Sequence, residues 1–205
     1  MSTYDFFITS LIIVLIPGAG VLYTISVGVS KGKKASILAT IGCTLGIIPH
    51  LFMSIVLSSF ILNMSQGIFT AIKIVGALYF LYLGAGMIRS EVQLDLENSQ
   101  GEDSSSSIVR RGVLISLLNP KITLFFFSFL PQYVSSTEDA FVFQSFLLGG
   151  IFIILTLVVF IGYGILAGAM KWLLISPGRF SILQKTFGVA FVIFAFKLAL
   201  SPLSF

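Results

Sequence analysis

Within its apolar stretches, this 205-residue sequence holds few side chains able to do chemistry. The two deepest are Lys121, beside Pro120, and His50, beside Pro49. A lysine ammonium is a compact positive charge suited to receiving a carboxylate. Near the centre of a bilayer it costs about 2.5–3.5 kcal/mol to insert. All eight acids lie in connecting segments or at the edges of the apolar stretches, so none offsets that charge from within. Lys121 must therefore pair with helix carbonyls freed by Pro120, or with an anionic group that enters from outside. Histidine titrates near physiological pH, which makes His50 the candidate for taking up and releasing a proton. The plainer reading of His50 is a hydrogen-bonded packing residue. The single Cys43 and single His50 exclude an internal disulfide, a cysteine metal cluster and a two-histidine metal site. No Gly-x-Ser-x-Gly and no phosphate-binding loop occurs, so no enzyme chemistry and no cofactor are expected.

The elements that hold these residues follow from composition. Apolar residues make up 57% of the chain and charged residues 10%, with a mean hydropathy of +1.07. A typical soluble domain has about 25% charged residues. Too few polar side chains remain to cover a water-facing surface. That excludes an ordinary cytosolic protein, a disordered chain and a nucleic-acid-binding domain. Crossing ~30 Å of hydrocarbon takes about 20 apolar residues. Six stretches qualify, at 6–27, 36–62, 68–88, 112–131, 141–172 and 182–200. They are continuously apolar and do not alternate, which predicts helices and not a barrel. The fifth is long enough to tilt or to extend beyond the bilayer. Met1 to Asp5 carries no Lys or Arg, so the first stretch reads as a retained membrane helix and not a secretory signal. Lys121 follows Gly112 by nine residues, roughly 13 Å into the membrane. Lys73 and Lys197 stand nearer the outer ends of their stretches and are expected to snorkel to the interface.

Charge gives the orientation. Lys31, Lys33, Lys34, Arg89, Arg110, Arg111, Lys171, Arg179 and Lys185 all border connections on one side, while the opposite connections hold no Lys or Arg. Positive residues stay cytoplasmic. Six helices with both termini outside the cytoplasm are predicted. The net charge of +4 and pI near 9.3 are thus topogenic and imply no nucleic-acid partner.

One acidic, serine-rich segment, 90–109, separates three stretches from three and reads as a flexible cytoplasmic linker. The chain is then one transmembrane domain, with a first three-helix repeat at 1–89 and a second at 110–205. Three is odd, so the halves enter the membrane from opposite sides. Lys73-Ile-Val-Gly76 and Lys185-Thr-Phe-Gly188 open the third and sixth stretches alike. The expected class is an all-α integral membrane protein, six transmembrane helices arranged as two inverted three-helix repeats, a topology of many secondary transporters. Pro17-Gly18 interrupts the first stretch and Asn119-Pro120 the fourth, at corresponding places. Paired breaks free backbone groups that can face a solute at the midplane. Gly42-x-x-x-Gly46 and Gly164-x-x-x-Gly168 permit close helix approach, within one chain or in a homodimer. The run Phe125, Phe126, Phe127 and Phe129 needs no cofactor to explain it.

These residues carry a resemblance. The run from Leu117 to Gln132, Leu-Leu-Asn-Pro-Lys-Ile-Thr-Leu-Phe-Phe-Phe-Ser-Phe-Leu-Pro-Gln, resembles a signature of the LysE/RhtB superfamily of bacterial amino-acid exporters. The run from Ile72 to Gly84 is similar to the family's K-x-x-G-A-x-Y-L-x-Y-L-G, and Pro17-Gly18 and the segment from Gly28 through Gly46 match as well. The resemblance implies proton-driven export of an amino acid or derivative across the bacterial inner membrane by alternating access. Pro17, Gly18, Asn119, Pro120 and Lys121 carry over as pathway residues. The chain reads Pro17-Gly18-Ala19-Gly20 where the family commonly has Pro-Gly-Pro followed by Asn, which leaves Gly20 in the candidate pathway. Ile47 stands where many members have Asp, while His50 matches a residue often present. Without that carboxylate a neutral substrate is expected over a cationic one. The expected partners are the amino-acid-like substrate, protons and the lipid bilayer. A passive channel or facilitator, and a non-transport membrane subunit, are the alternative readings.

Overall fold

Proline sets where several of these helices stop. A computed structural model describes residues 3–57, 63, 65–89, 104–134, 138–175 and 177–200. All secondary structure among them is helical. The elements are α1 (Thr3–Leu15), α2 (Ala19–Lys31), α3 (Lys33–Leu45), α4 (Ile48–Val56), α5 (Gln66–Arg89), α6 (Ser105–Leu117) and α7 (Pro120–Leu124). A π-helical turn (Phe125–Phe129) and a 3-10 turn (Leu130–Tyr133) continue α7, and α8 (Glu138–Ile175) and α9 (Pro177–Leu200) complete the chain.

The expected breaks are present. Pro17 cannot donate within a helix, and α1 gives way to α2 across a bend of 51°. Pro120 gives a bend of 48° between α6 and the segment Pro120–Tyr133. There Asn119 caps α7 by accepting from Lys121 N at 3.0 Å, with Pro120 in the first turn, where its missing N–H costs nothing. The turn between α2 and α3 needs Gly32, which stands at φ +82°. Helix α6 begins at Ser105, capped by Ser104, and so starts inside the segment read as linker. Residues 90–103 of that segment lie outside the described residues, as do 58–62 and 201–205.

Three helical spans are long and apolar enough to cross a bilayer: Lys33–Val56, Gln66–Arg89 and Ala140–Ala167. Each bent pair taken as one span brings the number to five among the described residues. The sixth expected span falls in the 24-residue α9, which is not among those five. The protein is therefore a multi-pass helical membrane protein. Helix α8, at 38 residues, is about 57 Å long and exceeds the hydrocarbon thickness, as its sequence predicts.

Packing fixes the relative directions. Helices α3 and α6 run parallel and almost touch: a Cβ on Gly112 would meet Ala39 O and Cys43 N, both at 2.8 Å. Helices α5 and α9 run antiparallel, with Gly84 against Gly188 and Gly76 against Leu198. The two broken spans also run antiparallel. Phe6 of α1 packs on Phe125 and Tyr133, and Thr9 Oγ1 lies 3.2 Å from Tyr133 Oη. The phenylalanine run packs largely inward. Phe125, Phe126 and Phe129 are buried, and Phe125 stacks on Phe152 with centroids 4.3 Å apart.

Candidate functional site

An α-helix pairs each N–H with the carbonyl four residues earlier. A proline inside a helical run therefore leaves one carbonyl unpaired, and in hydrocarbon that carbonyl needs a donor from elsewhere in the protein. Pro17 frees the carbonyl of Ile13, and Pro120 withholds the usual helical donor from that of Ser116, which accepts from Asn119 N at 3.1 Å in the closing turn and keeps a second lone pair. Lys121 Nζ donates to Ile13 O at 3.3 Å and to Ile16 O at 3.2 Å. His50 Nε2 lies 3.2 Å from Ser116 O. A carbonyl only accepts, so this nitrogen carries the proton. The sequence expectation that Lys121 would take carbonyls freed by Pro120 is thus corrected. Lys121, on the second broken span, caps the first break; His50, on the second span, caps the second.

The same rule extends to Pro131. In the π-helical turn the ladder shifts to five residues, and Leu130 N donates to Phe125 O. The next donor in that ladder would be Pro131, which has none. Ser54 Oγ donates to Phe126 O at 3.4 Å instead. At the first break Tyr163 Oη donates to Leu15 O at 2.7 Å.

Between the two breaks lies a cavity of about 20 Å³. That is close to the space of a single water and far below that of an amino acid. Its polar lining comes from Ser116, Asn119, Lys121 and Thr156, and its apolar lining includes Ile13, Val21, Ile47, Ile122, Phe152 and Phe160. No acid lines it. Of the residues singled out by sequence, Gly18, Gly20, Asn119 and Lys121 line this cavity together. Pro17 and Pro120 create the breaks without lining it. His50, although buried, stands behind Ser116 and not at the cavity wall.

Lys121 is buried, and its ammonium's hydrogen-bond partners among the described residues are backbone carbonyls. Its ammonium has three donors, of which two hold Ile13 O and Ile16 O. The carbonyl end of α1 adds a favourable dipole. Nζ also lies 6.0 Å from the centroid of Phe191. Gly18 makes room for this group, since a Cβ there would stand 3.1 Å from Nζ. A Cβ on Gly20 would press on the Phe160 ring at 3.0 Å.

Of the two outer lysines, Lys73 departs from the snorkelling expected of it, being only 6% exposed. Lys197 is an exposed residue whose Nζ donates to Thr9 Oγ1 at 3.2 Å and so ties α9 to α1. Among the described residues, no group of three or more His, Cys, Asp or Glu could hold a metal ion.

Sequence reasoning missed Ser54, Ser116, Thr156 and Tyr163. Counting four residues back from Pro17 and Pro120 names directly the carbonyls of Ile13 and Ser116, which lose their usual helical donor. No sequence signal selects which distant donor reaches them.

Comparison with known proteins agrees with this architecture. The family model for LysE type translocators matches residues 11–202. An uncharacterised membrane protein of Vibrio cholerae serotype O1 is 30% identical over 187 residues, covering 91% of each chain. The leucine efflux protein of Enterobacter sp. strain 638 is 28% identical, over 97% of this chain and 95% of its own. The homoserine/homoserine lactone efflux protein of Salmonella typhimurium is 26% identical, over 96% of this chain and 95% of its own. No solved structure matches. With its two broken spans meeting at a buried lysine and the family match running over nearly its whole length, the chain belongs to the LysE type translocator family.

Proposed function

We propose that this protein is a secondary exporter that moves an amino acid or amino-acid derivative out of the bacterial cytoplasm, coupled to protons, by alternating access. The observation that carries the reading is Lys121: a buried ammonium lining the small cavity between the breaks, held by two carbonyls that only the first break makes available. A substrate carboxylate is the anionic group this arrangement can exchange for those carbonyls. The cavity's lining suits an apolar or weakly polar side chain, because six of its residues are Ile, Val or Phe and none among the described residues is acidic. Ile47 is one of them, in keeping with a neutral substrate. The names of the leucine and homoserine efflux relatives point to the same class.

In this reading the halves 1–89 and 110–205 are inverted repeats joined by the 90–109 linker, with both termini outside the cytoplasm of the inner membrane. They rock about the crossing of the two breaks. The phenylalanine cluster around Phe125 closes the outer path, and the Gly42, Gly46 and Gly112 contacts close the inner one. Substrate entry requires one closure to part, since the cavity is too small for any amino acid as it stands.

Efflux from cells preloaded with a mixture of labelled amino acids tests the proposal against an empty vector. Loss of one solute, abolished by a proton-gradient uncoupler, is the expected result. Uncoupler-insensitive efflux would establish a passive facilitator. No loss of any amino acid or derivative would overturn the substrate class.

A further inference from the structure

His50 is held at both ring nitrogens. Nε2–H donates to Ser116 O, which leaves Nδ1 as an acceptor in the neutral ring. Thr123 Oγ1 lies 3.3 Å from Nδ1, and on its other side 3.5 Å from Asn119 O. A threonine hydroxyl has one proton to give and can accept as well. Asn119 O already accepts from Ile122 N at 3.0 Å and Thr123 N at 3.3 Å, and the Asn119 side chain caps Lys121 N. Asn119 is thus the residue on which the second break turns.

Resting on the exporter reading above, we propose that Thr123 is the positioning residue for His50. Its hydroxyl donates to Nδ1 of the neutral ring; when Nδ1 gains a proton, the hydroxyl turns to Asn119 O and accepts from Nδ1–H. The ring gains one proton, Thr123 keeps its own, and no covalent bond of Thr123 breaks. Both charge states are hydrogen-bonded, so neither leaves a polar group stranded in the bilayer. The difference between them is written on the carbonyl of Asn119, one residue from Pro120 and two from Lys121. The device therefore reports protonation of the first half of the chain to the break in the second.

The charged and titratable groups on the elements around His50 are few. Helix α4 has none besides His50, and the π-helical turn has none. Helix α7 contributes Lys121, α6 contributes Arg110 and Arg111 at its far end, and α3 contributes Lys33, Lys34 and Cys43. Helix α8 contributes Tyr163 and Lys171, with Glu138 and Asp139 in its first turn. No carboxylate stands on α3, α4, α6 or α7 to fix the charge of His50 in place of the hydroxyl.

His50 is the only histidine, so selectively ¹⁵N-labelled protein gives one imidazole signal without assignment. The full chain in detergent micelles is titrated as wild type, Thr123→Val and Thr123→Ser. The expected neutral form is the Nε2–H tautomer with a hydrogen-bonded Nδ1. Thr123→Val is expected to move the Nδ1 resonance toward its unbonded value and to displace the titration midpoint by about half a pH unit to one unit. Thr123→Ser restores both. An Nδ1–H tautomer in the wild type, or a valine variant that titrates like it, overturns the proposal. Should the valine variant fail to fold, the wild-type tautomer and the serine variant still decide. A second arm follows uptake of a mixture of labelled amino acids into proteoliposomes across pH. The midpoint of the transport profile should move with the resonance in Thr123→Val and return in Thr123→Ser. The expected resonance shifts with no transport of any amino acid by the wild type would overturn the exporter reading and leave the Thr123 switch standing.

Discussion

Replacing Lys121 by methionine separates what the lysine does for the fold from what it does for transport. Methionine keeps most of the volume and removes the ammonium. The substitution strands the carbonyls of Ile13 and Ile16, which accept from Nζ at 3.3 and 3.2 Å. Each buried acceptor without a partner costs about 1–3 kcal/mol, so the pair costs about 2–6 kcal/mol. Against this, the membrane no longer has to accommodate an ammonium, a gain of about 2.5–3.5 kcal/mol. The net lies between about −1.5 and +3.5 kcal/mol, small enough for the protein to insert and fold. Transport should respond on another scale. A charge-assisted contact to a substrate carboxylate is worth about 1.5–3 kcal/mol, or roughly 10- to 150-fold in transport. The assay pairs a denaturant unfolding curve of purified Lys121→Met in mixed micelles with efflux at matched membrane expression. Efflux at the wild-type rate from a folded Lys121→Met protein would refute the role of Lys121. Unfolding by well over about 4 kcal/mol would refute the accounting, by showing that the lysine is chiefly a structural clamp.

Further outcomes follow from the same geometry. Gly112→Ala must push α3 from α6, because both near atoms are backbone, and should destabilise by about 1–3 kcal/mol in the unfolding assay. Gly150→Ala, where a Cβ meets nothing within 4 Å, is the control and should match or exceed wild-type stability. Gly18→Ala forces Nζ to yield from a Cβ contact of 3.1 Å; transport should fall several-fold while thermal stability changes little. Orientation can be read by labelling, since the only cysteine, Cys43, is fully buried. In a Cys43→Ser background, an impermeant maleimide added to intact cells should label Ser65→Cys and spare Lys33→Cys; the reverse pattern would overturn the topology.

The two breaks and up to five of the six expected spans were legible because hydrocarbon imposes one-dimensional rules. Twenty apolar residues make a span, and a proline in the middle interrupts it. Lys121 and Gly18 were legible for the same reason, as an ammonium and a helix breaker where neither is cheap. The partner of Lys121 was not. Sequence pointed to the nearest break, at Pro120, whereas the fold brings residue 121 against residues 13 and 16 through antiparallel crossing of two distant segments. Lys73 failed in the opposite direction: depth alone favoured the interface, yet the residue is buried. Lys197 stays exposed and spends its ammonium on Thr9, a polar residue on another helix. The start of α6 at Ser105 was hidden because a run of serines reads as loop until its first member is seen capping a helix.

The capping of both breaks by distant side chains has an evolutionary corollary. Its acceptors, at residues 13, 16, 116 and 126, are main-chain oxygens, and substitution of the side chain does not delete them. Only the prolines and the donors are exposed to mutation. A lineage can therefore exchange nearly every apolar residue around the crossing and adapt the cavity to new solutes while the interlock persists. Relatives at 26–30% identity that still align over more than nine-tenths of the chain are what such a division of labour permits.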